Sequence, residues 1–195
     1  MRRAGWSMVE LMLALGLMGL VMSVVLGVFL RSGRETDLEL RRSGQLGQSI
    51  ALISQLEASL AASTAAALGW RDGSDGHPAL LAAQTLISTP YGSTGPSWQP
   101  YWDAYRWDAQ TQSVQFLQMG GANSAKPQLP APGLMLQAAT NPGRSRLLAS
   151  SVSNFRFRLE GTVAHLWLEF SLTPVGRGQP EKSLLERRVW LRNRN

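Results

Sequence analysis

Glu10 is the only ionisable side chain between residues 6 and 30, a run otherwise made of Leu, Met, Val, Ala, Gly, Ser and one Phe. A carboxylate in hydrocarbon costs several kcal/mol unless it meets a partner, so the chemistry it offers is one half of a buried ion pair. Two other sets of residues have types that suit chemistry. Asp72 and Asp75 lie with Gly73, Ser74 and Gly76 in one short segment. Oxygen donors and glycines at that density could begin a calcium loop, but the further oxygen ligands and the terminal Glu of such a loop are missing, and a polar turn accounts for the same residues. His165 and Glu169 point to one side of a strand yet stand two pleats apart, which suits a surface histidine better than an acid–base pair. The chain has two His and no Cys. With no Ser-His-Asp or metal-ligand spacing that stands out, neither an enzyme nor a bound cofactor is expected.

The elements that position Glu10 begin with a short basic leader, Met1-Arg2-Arg3-Ala4-Gly5, followed by Trp6. Residues 11–30 carry no charge. As a helix they span roughly 30 Å, the thickness of a bilayer core. A secretory signal peptide has a shorter apolar region of about 7 to 15 residues and a small-x-small cleavage site. Here the run is longer and Arg31-Ser32-Gly33-Arg34 follows it. A plain membrane anchor, with Trp6 as an interfacial aromatic, is one account. Gly19, Ser23 and Gly27 are spaced by four, so they line one helix face and permit close helix approach; ordinary enrichment of glycine in membrane helices explains them equally.

The order Gly5, Trp6, Ser7, Met8, Val9, Glu10, Leu11, behind a basic leader and ahead of a long apolar run, closely resembles the type IV prepilin signal. The family most often has Phe where this chain has Trp6. The resemblance implies that a membrane-embedded aspartyl prepilin peptidase cuts between Gly5 and Trp6 on the cytoplasmic side, and that the new amino group of Trp6 is methylated. It further implies that the Glu10 carboxylate of one subunit meets the Trp6 ammonium of its neighbour during assembly. Topology follows from the same source: a single pass through the bacterial inner membrane, N-terminus in the cytoplasm and C-terminal domain in the periplasm, later in a pilus or pseudopilus.

The predicted fold is α+β and type IV pilin-like, with a leader at 1–5, a transmembrane helix at 6–30, an amphipathic continuation at 31–69 and an antiparallel β domain at 70–195. Leu46, Ile50, Ile53, Leu56 (or Glu57) and Leu60 recur at helical spacing, and Gly69 is a plausible stop, with breaks allowed near Gly33 and Gly44. Residues 70–98 read as loop-rich. The aromatic cluster Trp98, Tyr101, Trp102, Tyr105 and Trp107 serves either a small domain's core or a ligand groove. A hairpin follows through Asp108 and Gln112, and the proline-rich 120–143 reads as a long loop. Ser153, Phe155, Phe157 and Leu159, then Ala164, Leu166, Leu168 and Phe170, and finally Leu185, Val189 and Leu191 mark three antiparallel strands laid on the helix.

The strand "Val-Ser-Asn-Phe-Arg-Phe", a hydrophobic strand and a terminal "Val-Trp-Leu-Arg-Asn" look like minor pilins and the J-type minor pseudopilin of type II secretion, and the chain's size suits that group. The partners so implied are other minor pilins or pseudopilins, the major subunit, the prepilin peptidase and the inner-membrane assembly platform. Net charge is +6, and +4 once Arg2 and Arg3 are removed, with 17 basic against 13 acidic side chains. The basic residues form no single stripe, so nucleic acid is not an expected partner. A membrane-anchored binding or sensor domain, which would keep residues 1–5, is the rival from another class.

Overall fold

In a computed structural model, the described residues are 7–73, 76–88, 96–172, 179 and 181–192. The first element, α1 (Met8–Ala61), runs unbroken through Gly33 and Gly44. The strands are β1 (Leu68–Arg71), β2 (Ala79–Ala83), β3 (Leu86–Ser88), β4 (Ser97–Trp98), β5 (Tyr101–Asp108), β6 (Ser113–Gly120), β7 (Ser145–Ala149), β8 (Val152–Glu160), β9 (Val163–Leu172) and β10 (Glu181–Trp190), with a second helix, α2 (Pro132–Thr140), before β7. Among the described residues they form a five-stranded sheet, β1-β2-β5-β6-β7, a three-stranded sheet, β10-β9-β8, and the small pair β3-β4. All pairings are antiparallel. The chain is therefore α+β, a long N-terminal helix beside antiparallel sheets.

The three-stranded sheet matches its sequence pattern. Ala164, Leu166, Leu168 and Phe170 are all buried, and β9 alternates strictly between its two faces. Gly161, at φ +60°, starts the two-residue turn from β8 to β9, a left-handed position that suits glycine. The β5–β6 hairpin also falls where the turn residues put it.

Three expectations are corrected. Helix α1 stops at Ala61, eight residues before Gly69, although the alanine-rich sequence beyond favours helix. Backbone donors from elsewhere take over the chain beyond it: Leu86 N–H donates to Ala62 O, Gln84 N–H to Ala67 O and Arg192 N–H to Ser63 O. Gly69 instead sits inside β1. Residues 70–98 hold β2, β3 and β4 rather than mostly loop, and the proline-rich 120–143 holds α2. Pro132 stands at the start of α2, where its missing N–H costs nothing, and Met135, Ala138 and Ala139 are its buried stripe.

Two apolar cores result. In the first, Leu52, Ile53, Leu56 and Leu60 of α1 meet Leu81, Tyr105 and Val114 of the larger sheet and Leu166, Leu168 and Phe170 of the smaller. Each such side chain contributes about 1.5–3 kcal/mol on burial. The buried face of α1 is rotated from the predicted one: Leu46 and Ile50 are exposed, whereas Ser49 and Ser59 are inside. Their hydroxyls are satisfied there, Ser49 by donating to Gln45 O at 2.8 Å and Ser59 by pairing with Tyr105 Oη at 2.6 Å. Burial pushes the Tyr105 phenol up to about 12, so it stays protonated at neutral pH. In the second core, Leu80, Ala82, Trp102, Leu117 and Met119 on the opposite face of the larger sheet meet Met135 and Ala138 of α2.

Gly69 earns its place by close approach rather than as a helix stop. A Cβ there would lie 2.6 Å from Pro130 Cγ and 2.9 Å from Met135 Sδ. The methionine can swing away but the proline ring cannot. Gly69→Ala is expected to destabilise the domain by about 1–3 kcal/mol, as overpacking does, read as a lowered urea midpoint with an unchanged slope.

Candidate functional site

The exposed half of α1 carries most of the predicted site residues. Residues 8–30 are exposed along their whole length, and at 1.5 Å per residue they extend about 35 Å. Among the described residues this is the one helix long and apolar enough to cross a membrane, and by length and composition the chain can be a single-pass membrane protein. Gly5 and Trp6, the predicted cleavage and methylation positions, lie outside the described residues, as does Asp75. Gly19 and Gly27 have open space where a Cβ would stand. Ser23 donates its hydroxyl to Leu20 O at 2.8 Å, so this face presents little unpaired polarity to a lipid or a neighbouring helix.

Glu10 has a role within its own chain that the sequence analysis missed. Ser7 is the N-cap of α1; its hydroxyl accepts from the Glu10 N–H at 3.3 Å, and the Glu10 carboxylate accepts from the Ser7 N–H at 2.9 Å. This reciprocal capping box satisfies two of the donors that a helix start leaves orphaned. The signal was available as Ser-x-x-Glu ahead of an apolar run. Glu10 is exposed, so in the isolated chain its carboxylate is capped and still open to a second partner.

Beyond residue 30 the helix is polar, with exposed pairs Arg31–Glu35 at 3.2 Å and Asp37–Arg41 at 3.0 Å. Such pairs contribute only a few tenths of a kcal/mol each. The firmer link to the domain is a polar rim above the apolar core. Arg42 pairs with Glu181, Gln45 donates to Ser151 Oγ at 2.9 Å, and Arg187 pairs with Glu57 at 3.1 Å. Helix and sheets are thus held from both sides.

The remaining candidates are dispersed. His165 lies 3.6 Å from Glu160 and stacks on Trp167, while Glu169 binds Lys182 at 2.9 Å, so His165 and Glu169 take different partners. The Lys182 ammonium holds the Glu169 carboxyl below its ordinary range. Asp72 is exposed at the end of β1, and the described residues contain no cluster of three or more His, Asp or Glu that could hold a metal. Of the aromatic cluster, Trp98, Trp102 and Tyr105 are fully buried. Trp102 donates its indole N–H to Gln128 O at 2.7 Å, and Trp107 donates to Val152 O at 2.8 Å, which ties the larger sheet to the smaller. No protein family, curated protein or solved structure matches the chain.

Proposed function

We propose that the chain is a non-catalytic subunit of a type IV pilin-like filament, a minor pilin or J-type minor pseudopilin that enters the tip or initiating complex of a type II secretion pseudopilus or type IV pilus. One observation carries this reading: the segment that holds the Gly5, Trp6 and Glu10 motif leads straight into an exposed apolar helix, which continues without a break into the core of an α+β domain. Such a rod can anchor the subunit in the inner membrane, domain in the periplasm, and later pack beside the helices of sibling subunits. Cleavage after Gly5 would expose the Trp6 ammonium that a neighbour's Glu10 can meet. Side-by-side helices would then prime addition of the major subunit, driven by a separate ATPase. A filament that takes up DNA or adheres fits the same residues.

Intact-mass measurement of the membrane-extracted protein, with and without prepilin peptidase, tests the proposal. The expected product begins at a methylated Trp6 and lacks five residues. A chain that still begins at Met1 in the presence of the peptidase overturns it and favours a membrane-anchored binding or sensor domain.

A further inference from the structure

The outer face of the three-stranded sheet is covered by neither α1 nor the larger sheet. Across it run rows of paired residues: Asn154, Glu169 and Leu184 in one, Arg156, Trp167 and Glu186 in the next, Arg158, His165 and Arg188 in a third. His165 stacks along the Trp167 ring at 5.7 Å between centroids and 16° between planes. The row on the other side of Trp167 borders a hollow of about 370 Å3, lined by Asn154, Arg156, Trp167, Glu169 and Leu184 and by no residue of the His165 row. That volume falls within the roughly 300–1,000 Å3 of small-molecule sites.

The charges on this face are almost all spent on one another. Arg158 pairs with Glu160, Arg188 with Glu186 and Lys182 with Glu169. Arg156 is the exception: among the described residues it has no ion pair, and it is exposed at the hollow's edge. The hollow therefore combines an aromatic plane, an apolar wall at Leu184, two planar hydrogen-bonding groups at Asn154 and Glu169, and one uncompensated guanidinium. A saturated ring with an apolar C–H face, hydroxyls at its rim and a carboxylate matches each of these in turn.

We propose that this hollow binds an acidic pyranose of a glycan, its C–H face on Trp167, its hydroxyls on Asn154 and Glu169, and its carboxylate on Arg156. Neutral sugars satisfy the ring contacts but leave Arg156 unused. A long polyanion such as nucleic acid meets the paired carboxylates of Glu160, Glu186 and Glu169 on the same face, which disfavours it. The site is independent of the filament proposal, since it uses no residue of α1.

Calorimetric titration of the full chain, held in a detergent without a sugar headgroup, with galacturonic acid and its methyl ester tests the site. Saturable binding of the acid is expected, with the ester about tenfold weaker, since one charge-assisted hydrogen bond is lost. Arg156→Gln should bring the acid down to the ester's level, Trp167→Ala should remove binding of both, and Trp190→Ala, one row beyond Arg158 and His165, should change neither. Arg156 is exposed, so its variant folds even if the Trp167 variant does not. Absence of saturable binding, an acid affinity unchanged by Arg156→Gln, or equal binding of poly-glutamate overturns the proposal, the last by showing a general anion surface.

Discussion

On the filament proposal, Glu10→Gln is expected to leave cleavage after Gly5 unchanged and to keep the subunit out of the filament. The choice of glutamine follows from the capping box, in which the Glu10 side chain accepts a hydrogen bond from the Ser7 N–H. Glutamine serves equally well there, so the start of α1 stays capped and only the charge is lost. The proposed cleavage would leave Trp6 with a free ammonium, and packing that ammonium among apolar helices without a carboxylate would cost about 3–5 kcal/mol. A loss of about 3 kcal/mol lowers an association constant by more than a hundredfold. Glu10→Ala also loses the bond from the Ser7 N–H, while the Ser7 hydroxyl still caps the backbone N–H of residue 10, and should be at least as severe. The readout is the fraction of subunit in sheared filaments, with cleavage followed by intact mass. Normal incorporation of the glutamine variant alongside exclusion of the alanine variant would mean that Glu10 acts as a cap, and would remove the intermolecular pair from the mechanism.

What could be read from the residues depended on whether local pattern and tertiary environment agreed. Strand β9 was legible because it is buried on one face only, so Ala164, Leu166, Leu168 and Phe170 alternate with His165, Trp167 and Glu169. Strand β2 was not. Its residues Ala79, Leu80, Leu81, Ala82 and Ala83 are all buried because α1 covers one side of its sheet and α2 the other, and a strand between two layers shows no alternation. The end of α1 was hidden for a different reason. Ser63, Thr64 and the alanines after them carry no stop signal, and the helix yields there to backbone N–H donors contributed by residues 84, 86 and 192. Helix α2 was masked by the prolines around it, although proline at a first helical position is a start signal. In the candidate site the lone charge of Glu10 is conspicuous, whereas its hydrogen bond to Ser7 rests on a four-residue Ser-x-x-Glu pattern that the long apolar run overshadows. Spacing could not have revealed the hollow beside Trp167, because its lining comes from three strands whose register the sequence does not specify.

Gln84→Glu should be among the most damaging single changes in the domain, and its damage should depend on pH. Gln84 is fully buried between β2 and β3, where its amide donates to Gln99 O at 2.8 Å and to Asn123 O at 2.7 Å while its carbonyl accepts from Gln128 N–H at 2.8 Å. The side chain thereby fixes residues 123–128, the same stretch whose Gln128 carbonyl holds the Trp102 indole. Glutamate keeps the acceptor but loses both donors, and its carboxylate then faces two carbonyl oxygens without water. Two orphaned acceptors and a buried charge cost about 3 kcal/mol or more at neutral pH. Desolvation and the facing carbonyls both raise the folded-state pKa of the new carboxyl above its unfolded value near 4.3. The folded state therefore binds more protons than the unfolded one, and lowering the pH from 7 towards 5 should recover part of the loss as the neutral acid regains one donor. Gln84→Met loses all three hydrogen bonds but introduces no charge, so its penalty should be smaller at pH 7 and flat with pH. Urea unfolding of the two variants at pH 7 and pH 5 separates these terms. Equal, pH-independent penalties would mean that water reaches the amide and that the three bonds do not close the second core.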